Sequence, residues 1–357
     1  MNIKNLVRKN ILNLKPYTSA RDLYEGNGIL LDANENSWGS TFTKIESLWD
    51  DKLNLELNRY PDPHQKEMRE LVGNLLSIPK ENLFFGVGSD EIIDLLIRIF
   101  CNPGKDKVII PEPTYGMYKV ACDVNDVETV EVLLNDNFQV DLDAIKKNYS
   151  TDVKMIFLCS PNNPTGNLLN KEDVVLFCKE FNSIIVVDEA YIDFAGHGSM
   201  INEVKNYPNL VVLRTFSKAW GLAGIRLGYC AANDEIINLL FKIKAPYNIN
   251  SLTRFAFEAS IKNLDLKEKY IRGIVKERER LKNQLETLPN VITIYNSDAN
   301  FLLVKFKDAK LVQAKLAEAG IIVRDRSSQP KLENCLRISI GTEEENDILL
   351  NELRKIA

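Results

Sequence analysis

With 357 residues, 45% of them hydrophobic and 27% charged, the chain has the composition of an ordinary globular protein and a length that suits two domains better than one. A net charge of -5 argues against nucleic acid as the main partner, and no apolar run approaches the ~18 residues that a membrane helix needs. Met1 to Asn10 is polar and basic without the apolar stretch of a secretory signal, and six scattered cysteines with two histidines offer no metal constellation, so a cytoplasmic enzyme without a metal is expected.

In chain order, Met1 to Asn36 mixes short apolar pieces with turn residues. Leu14-Lys15-Pro16-Tyr17 reads as part of an arm, and Leu30 to Asn36 as a short strand. Arg59-Tyr60-Pro61-Asp62-Pro63 is a rigid loop, because each proline fixes its own φ and restrains the residue before it. Met68, Leu71, Val72 and Leu75 then fall at helical spacing, in a helix that ends before Pro79. Leu83-Phe84-Phe85 is a short strand that turns through Gly86 and Gly88 into a helix opening at Ser89 or Asp90. That helix is apolar nearly all round, which requires burial. A glycine turn into a helix N-terminus is a ready anion site, although many such turns use glycine only for geometry.

Apolar runs at Val108–Ile110, Val127–Leu134, Met155–Cys159, Ile184–Val187 and Val211–Leu213 follow, with helices between several of them, one capped by Asn170. Strands buried on both faces and separated by helices predict an α/β fold with a mainly parallel sheet covered on both sides. After Pro246 the character changes. A long charge-laced helix over Asp265–Leu288 precedes strands at Val291–Tyr295, Phe301–Phe306, Ile321–Arg324 and Leu336–Ile340, and Thr342 to Glu345 forms a capping box before the last helix. The expected division is an N-terminal arm over 1–36, a large domain over 37–245 and a smaller α+β domain over 246–357, with the arm joined to the smaller one.

Ligands of open α/β sheets bind at the carboxyl ends of the strands, so those ends can be taken together. They carry Tyr115, Asn163, Asp188 with Tyr191, and Ser217-Lys218. Lys218 has hydroxyls before it, Arg226 eight positions after it, and glycines at 221, 224 and 228 that let the backbone turn tightly and approach something closely. A lysine so placed suits a carbonyl cofactor bearing a phosphate: the amine forms a Schiff base while Ser217 and Arg226 hold the phosphate. A carboxylate at the end of an apolar strand is costly unless it meets a cation, and a protonated pyridine nitrogen would be that partner for Asp188. Asn163 and Tyr191 can reach a ring hydroxyl, Tyr115 can stack on the ring, and the Ser89 and Asp90 amides can join the phosphate cradle. Singly these residues read as a turn carboxylate, a turn amide, a packing ring and solvated cations. Their conjunction on successive strands points to a pyridoxal-phosphate site.

Ser160 to Gly166, Asp188 to Tyr191 and Thr215 to Gly228 resemble the signature stretches of the fold-type-I aminotransferases. Leu14 to Tyr17, Leu31 to Glu35, Arg59 to Pro63 and Leu336 to Thr342 make the chain similar, over nearly its whole length, to the histidinol-phosphate aminotransferase family. The resemblance implies a large domain on a mainly parallel seven-stranded sheet and a smaller α+β C-terminal domain. It also implies pyridoxal 5'-phosphate carried by Lys218, which then shuttles a proton, with Asp188 and Tyr191 completing the catalytic set and Glu91 added to the cofactor set. It further implies a homodimer in which Tyr60 reaches the neighbour's cofactor phosphate, and substrate binding by Tyr17, Asn34, Arg324 and Arg337. The implied reaction converts histidinol phosphate and 2-oxoglutarate to imidazole-acetol phosphate and glutamate in two ping-pong halves. Two guanidinium forks, on two predicted strands of the small domain, suit a dianionic phosphate. Val87 and Trp220 depart from the residues commonest in the family. The same cofactor could instead serve an aromatic-amino-acid aminotransferase or a phosphothreonine-type decarboxylase, between which Arg337 does not discriminate. A non-catalytic regulator would need a DNA-binding extension, and Met1 to Asn36 is too short for one.

Overall fold

The computed structural model describes residues 3–14, 28–43 and 56–356. Twelve strands are present among them: β1 (Ile29–Leu31), β2 (Leu83–Val87), β3 (Lys107–Glu112), β4 (Glu128–Leu133), β5 (Val153–Cys159), β6 (Ile184–Asp188), β7 (Leu210–Thr215), β8 (Leu227–Ala232), β9 (Val291–Ile294), β10 (Phe301–Phe306), β11 (Ile321–Asp325) and β12 (Cys335–Ser339). They form a seven-stranded sheet ordered β2-β8-β7-β6-β5-β3-β4 and a five-stranded sheet ordered β1-β11-β12-β10-β9.

The larger sheet is parallel except at β8, which runs antiparallel to both β7 and β2. Its central strands β5, β6 and β7 are almost continuously apolar because each face has its own core. Along β5, Ile156 and Leu158 enter one core while Met155 and Phe157 enter the other; Val187 and Val186 of β6, then Val212 and Val211 of β7, divide the same way. This is the strand period of two written into continuous apolar runs. The Gly88–Phe100 helix covers one face with Ile92, Leu96 and Ile97, and the Lys171–Glu180 helix covers the other with Val174 and Phe177.

The sequence reading placed a glycine loop where β8 stands. Gly228 lies inside that strand rather than in a turn; a Cβ there would sit 2.5 Å from the Ser89 nitrogen, so its value is close approach to the helix N-terminus. Gly221 does turn, at φ +63°, whereas a Cβ at Gly224 would meet nothing within 4 Å.

The smaller sheet packs on the Leu264–Leu285, Ala309–Glu318 and Glu343–Ile356 helices around Ile274, Leu281, Phe301, Phe306, Ile338 and Leu350. Its edge strand β1 comes from the N-terminal part of the chain and pairs parallel with β11, Ile29 opposite Ile321. The capping box forms as read: Thr342 Oγ accepts from the Glu345 amide at 3.2 Å and the Glu345 carboxylate from the Thr342 amide at 2.9 Å. Phe257 of the Ser251–Ser260 helix belongs to the large-sheet core, as do Ile249 and Ile261.

Candidate active site

Because β2, β3, β5, β6 and β7 are mutually parallel, their carboxyl ends share one rim. A cavity of about 350 Å³ opens there, lined from the large sheet by Ser89, Asp90, Tyr115, Asn163, Asp188, Tyr191, Ser217, Lys218 and Arg226, and from the small sheet by Arg324 and Arg337. The distances in sequence are long and the distances in space short. This follows from register alone: Cys159 is paired with Asp188, and Asp188 with Leu213, five residues before Lys218.

The Lys218 Nζ donates to the Ala33 carbonyl at 2.8 Å and lies 5.7 Å from the Tyr191 ring centroid. Burial, helped by the Arg337 charge, lowers its pKa to about 8. A lysine in this state has a sizeable fraction of neutral, nucleophilic amine near neutral pH. Asp188 is 3% exposed, and burial pushes its carboxyl up to about 6 against hydrogen bonds from the Tyr118 hydroxyl at 2.7 Å and the Ala190 amide at 3.1 Å. Burial likewise raises the Tyr115 phenol, and raises Tyr191 to about 12, so both rings are neutral donors. The carboxylate beside Asp188 has a different task. Glu189 takes a buried ion pair from Arg214 at 2.8 Å and the amide of Met200 at 2.5 Å, fastening the ends of β6 and β7 together.

At the other end of the cavity the first turn of the Gly88–Phe100 helix brings Ser89 and Asp90 to the wall beside Ser217 and Arg226, with the Gly88 amide donating to the Arg226 carbonyl at 2.9 Å. A helix N-terminus, a hydroxyl and a guanidinium make an anion cradle. Asp90 bridges it, accepting from the Tyr115 hydroxyl and from Arg226, each at 3.2 Å. A Cβ at Gly88 would fall 2.7 Å from the Arg226 guanidinium, so glycine is what lets the two approach.

Arg324 and Arg337 are direct partners across β11 and β12, and facing residues of an antiparallel pair project to the same side. Arg337 is 4% exposed, donates to the Asn163 side-chain oxygen at 2.7 Å and also to the Asp32 carbonyl. A guanidinium of the small sheet is thereby tied to an amide at the rim of the large one.

Two expected site residues turn away from the cavity, one was expected to serve a neighbouring chain, and one lies outside the described residues. Glu91 was grouped with the cofactor set, but its carboxylate turns back to the Val87 amide at 2.6 Å and to Asn248 at 3.0 Å. The amide of Val87, the residue just before the helix, captures it. Asn34, expected at the substrate, is fully buried behind Tyr191, whose hydroxyl accepts from its amide at 3.0 Å; Ser339 and Asn300 hold the remaining polar atoms. Tyr60 stands away from this chain's cavity, 80% exposed and stacked on Tyr247 at 4.4 Å. Tyr17 is outside the described residues. Conversely, Tyr118, Arg326, Glu35 and the Ala33 carbonyl were not anticipated. Tyr118 carries no local signal, because Tyr115 precedes the Met117–Val124 helix and no helical spacing relates the two rings. The others arrive through tertiary convergence that no local pattern carries.

The fold and this rim define a fold-type-I transferase that works on a phosphate-bearing carbonyl cofactor. The family model for aminotransferase class I and II matches residues 27–353. The histidinol-phosphate aminotransferase of Cytophaga hutchinsonii is 47% identical over 99% of this chain and 98% of its own length. The chain therefore belongs to the aminotransferase class I and II family, in its histidinol-phosphate aminotransferase branch. Among solved structures, the histidinol-phosphate aminotransferase of Clostridium acetobutylicum superposes with a TM-score of 0.84 at 27% identity, over 92% of this chain and 98% of that one. That of Sinorhizobium meliloti, solved with pyridoxal-5'-phosphate, shares the fold at a TM-score of 0.88 and 22% identity, over 98% of both chains.

Proposed function

We propose that the protein transfers the amino group of histidinol phosphate to 2-oxoglutarate, using pyridoxal 5'-phosphate held at Lys218, as a step of histidine biosynthesis. The observation that carries the substrate is the cross-strand pair Arg324 and Arg337, facing the same cavity as Lys218. Two guanidinium forks match a phosphate dianion on the side of the cavity away from the anion cradle.

The residues present fit the cofactor. Asp188 is a buried carboxylate whose cost of burial a protonated ring nitrogen would offset. Ser89, Asp90, Ser217 and Arg226 would hold the phosphate, Asn163 and Tyr191 the ring hydroxyl, and Tyr115 one ring face. When bound, pyridoxal phosphate supplies a carbonyl to receive the amino group and an electron-accepting ring. The chain's own part is positional and acid–base. Lys218 Nζ, neutral once released, would take the proton from the amino-bearing carbon of the substrate and return it to the cofactor's carbonyl carbon, with the transferred nitrogen between the two. Arg324 and Arg337 fix the phosphate so that this carbon lies near Lys218.

The active species is proposed to be a homodimer in which the exposed Tyr60 completes the partner's phosphate site. A cytoplasmic location accords with six unpaired, buried cysteines and with no described helix being long and apolar enough to cross a membrane. The proposed working units are the large domain 37–245 and the small domain 246–357 with the arm 1–36, the Ser251–Ser260 helix travelling with the large sheet.

The test is a half-reaction without any oxo acid. Protein loaded with pyridoxal phosphate is mixed separately with histidinol phosphate, phosphothreonine and phenylalanine, and the cofactor's visible absorbance is followed. Conversion at far lower histidinol phosphate than either rival is expected. A better response to phenylalanine, or carbon dioxide from phosphothreonine, would reassign the substrate.

A further inference from the structure

The Asp188 carboxylate is gripped from behind by a residue that does not line the cavity. Tyr118, on the Met117–Val124 helix, is wholly buried and donates its hydroxyl to Asp188 Oδ2 at 2.7 Å. Its ring is fixed in place, stacked on Phe157 at 4.5 Å and 5° and meeting Tyr115 edge-on at 5.4 Å. The Ala190 amide holds the other oxygen, Oδ1. A carboxylate bonded at both oxygens has one orientation, and donors aimed at it favour its ionised form. We propose that Tyr118 is a positioning residue for the transamination site: through this one hydrogen bond it keeps Asp188 charged and aimed at the cofactor ring nitrogen.

The proposal rests on the cofactor reading above and goes further by naming what sets the charge of Asp188. The other groups around that carboxylate do not supply the effect. Asp90 and Glu189 are like charges that oppose ionisation. Cys159, Tyr115 and Tyr191 are neutral, their own protons held by burial. Against desolvation, which pushes Asp188 up to about 6, the hydrogen bonds from Tyr118 and the Ala190 amide work downward, and of the two only Tyr118 can be removed by side-chain substitution.

The experiment measures the dissociation constant of pyridoxal phosphate from the full-length protein, by quenching of intrinsic fluorescence, across pH 5 to 9. Native protein, Tyr118→Phe, Phe157→Leu, Asp188→Asn and the Tyr118→Phe/Asp188→Asn double variant are compared. Tyr118→Phe deletes a single oxygen and keeps the stacked ring, and thermal unfolding of each cofactor-free variant reports on its fold. A hydrogen bond to a charged group supports roughly a tenfold or greater change in equilibrium. The expected result is that the acid limb of affinity, set by ionisation of Asp188, moves up by about one pH unit or more in Tyr118→Phe. Phe157→Leu leaves that limb in place, and adding Tyr118→Phe to Asp188→Asn weakens binding no further. An unmoved limb, an equal shift in Phe157→Leu, or losses that multiply in the double variant would overturn the proposal. Failure of the native protein to bind pyridoxal phosphate would instead overturn the cofactor reading.

Discussion

At the scale of single residues, the site works by withholding water from charges that are useful only when they are uncomfortable. Lys218 is buried with Arg337 as a like-charged neighbour, which lowers its pKa to about 8. Only the neutral amine attacks a carbonyl. The rate at which cofactor-free protein combines with pyridoxal phosphate should therefore rise with pH and level off above about 8, a stopped-flow absorbance measurement. Lys218→Ala should lose turnover altogether while keeping the native circular-dichroism spectrum. These positions were legible in the sequence because strand ends are: an apolar run that stops at Asp188, or at Ser217-Lys218, announces a polar group at a sheet rim. What could not be read is which way a side chain turns once there. Glu91 sits one position after Asp90 yet serves the backbone of its own helix turn. Asn34 occupies the site's second layer, and Tyr118 enters from a helix whose sequence pattern shows only that it is half apolar.

At the scale of elements, the pairing of β11 with β12 does work that neither strand does alone. A slip of one residue would send Arg324 to the opposite face from Arg337 and divide the pair. Arg324→Gln should raise KM for histidinol phosphate by roughly tenfold or more, the loss of one charge-assisted bond, and change KM for glutamate less. Steady-state kinetics with both amino donors decides it, and equal effects would remove Arg324 from the phosphate site. Most strands were readable because each centres on a cluster of apolar residues between turn residues. β8 escaped because its first two residues look like the end of a glycine loop, and its Ala231 and Ala232 carry little hydrophobic signal though both are fully buried. Only the unpaired edges of β7 and β2 on either side reveal the need for it.

At the scale of the whole molecule, the segment after β1 ties the small sheet to the lysine loop of the large one. Asn36 donates to the Ala219 carbonyl at 3.2 Å, the Thr41 amide and hydroxyl both donate to the Trp220 carbonyl, and Gly39 lies against Gly221. A methyl group on Gly221 would meet the Gly39 carbonyl oxygen at 2.0 Å from a backbone already at φ +63°. Gly221→Ala should cost ~2–4 kcal/mol of stability, from a left-handed backbone plus overpacking. It should also weaken cofactor retention, since the loop that bears Lys218 must shift. Urea unfolding and the rate of cofactor release measure the two effects separately.

The arginines of the small sheet have a further consequence in the choice of buffer. Arg324 and Arg337 face each other across two strands, with Arg326 on the same cavity wall. Guanidinium forks gathered on one wall make a site that matches a tetrahedral oxyanion. Inorganic phosphate or sulfate binds the folded form alone and so raises its melting temperature by mass action, ~2.7 kcal/mol at a hundred times the dissociation constant. The same ions would compete with the substrate's own phosphate. Assays in phosphate buffer should therefore find a more heat-resistant protein with a weaker apparent affinity for its donor, and exchanging the buffer for a neutral amine should reverse both together.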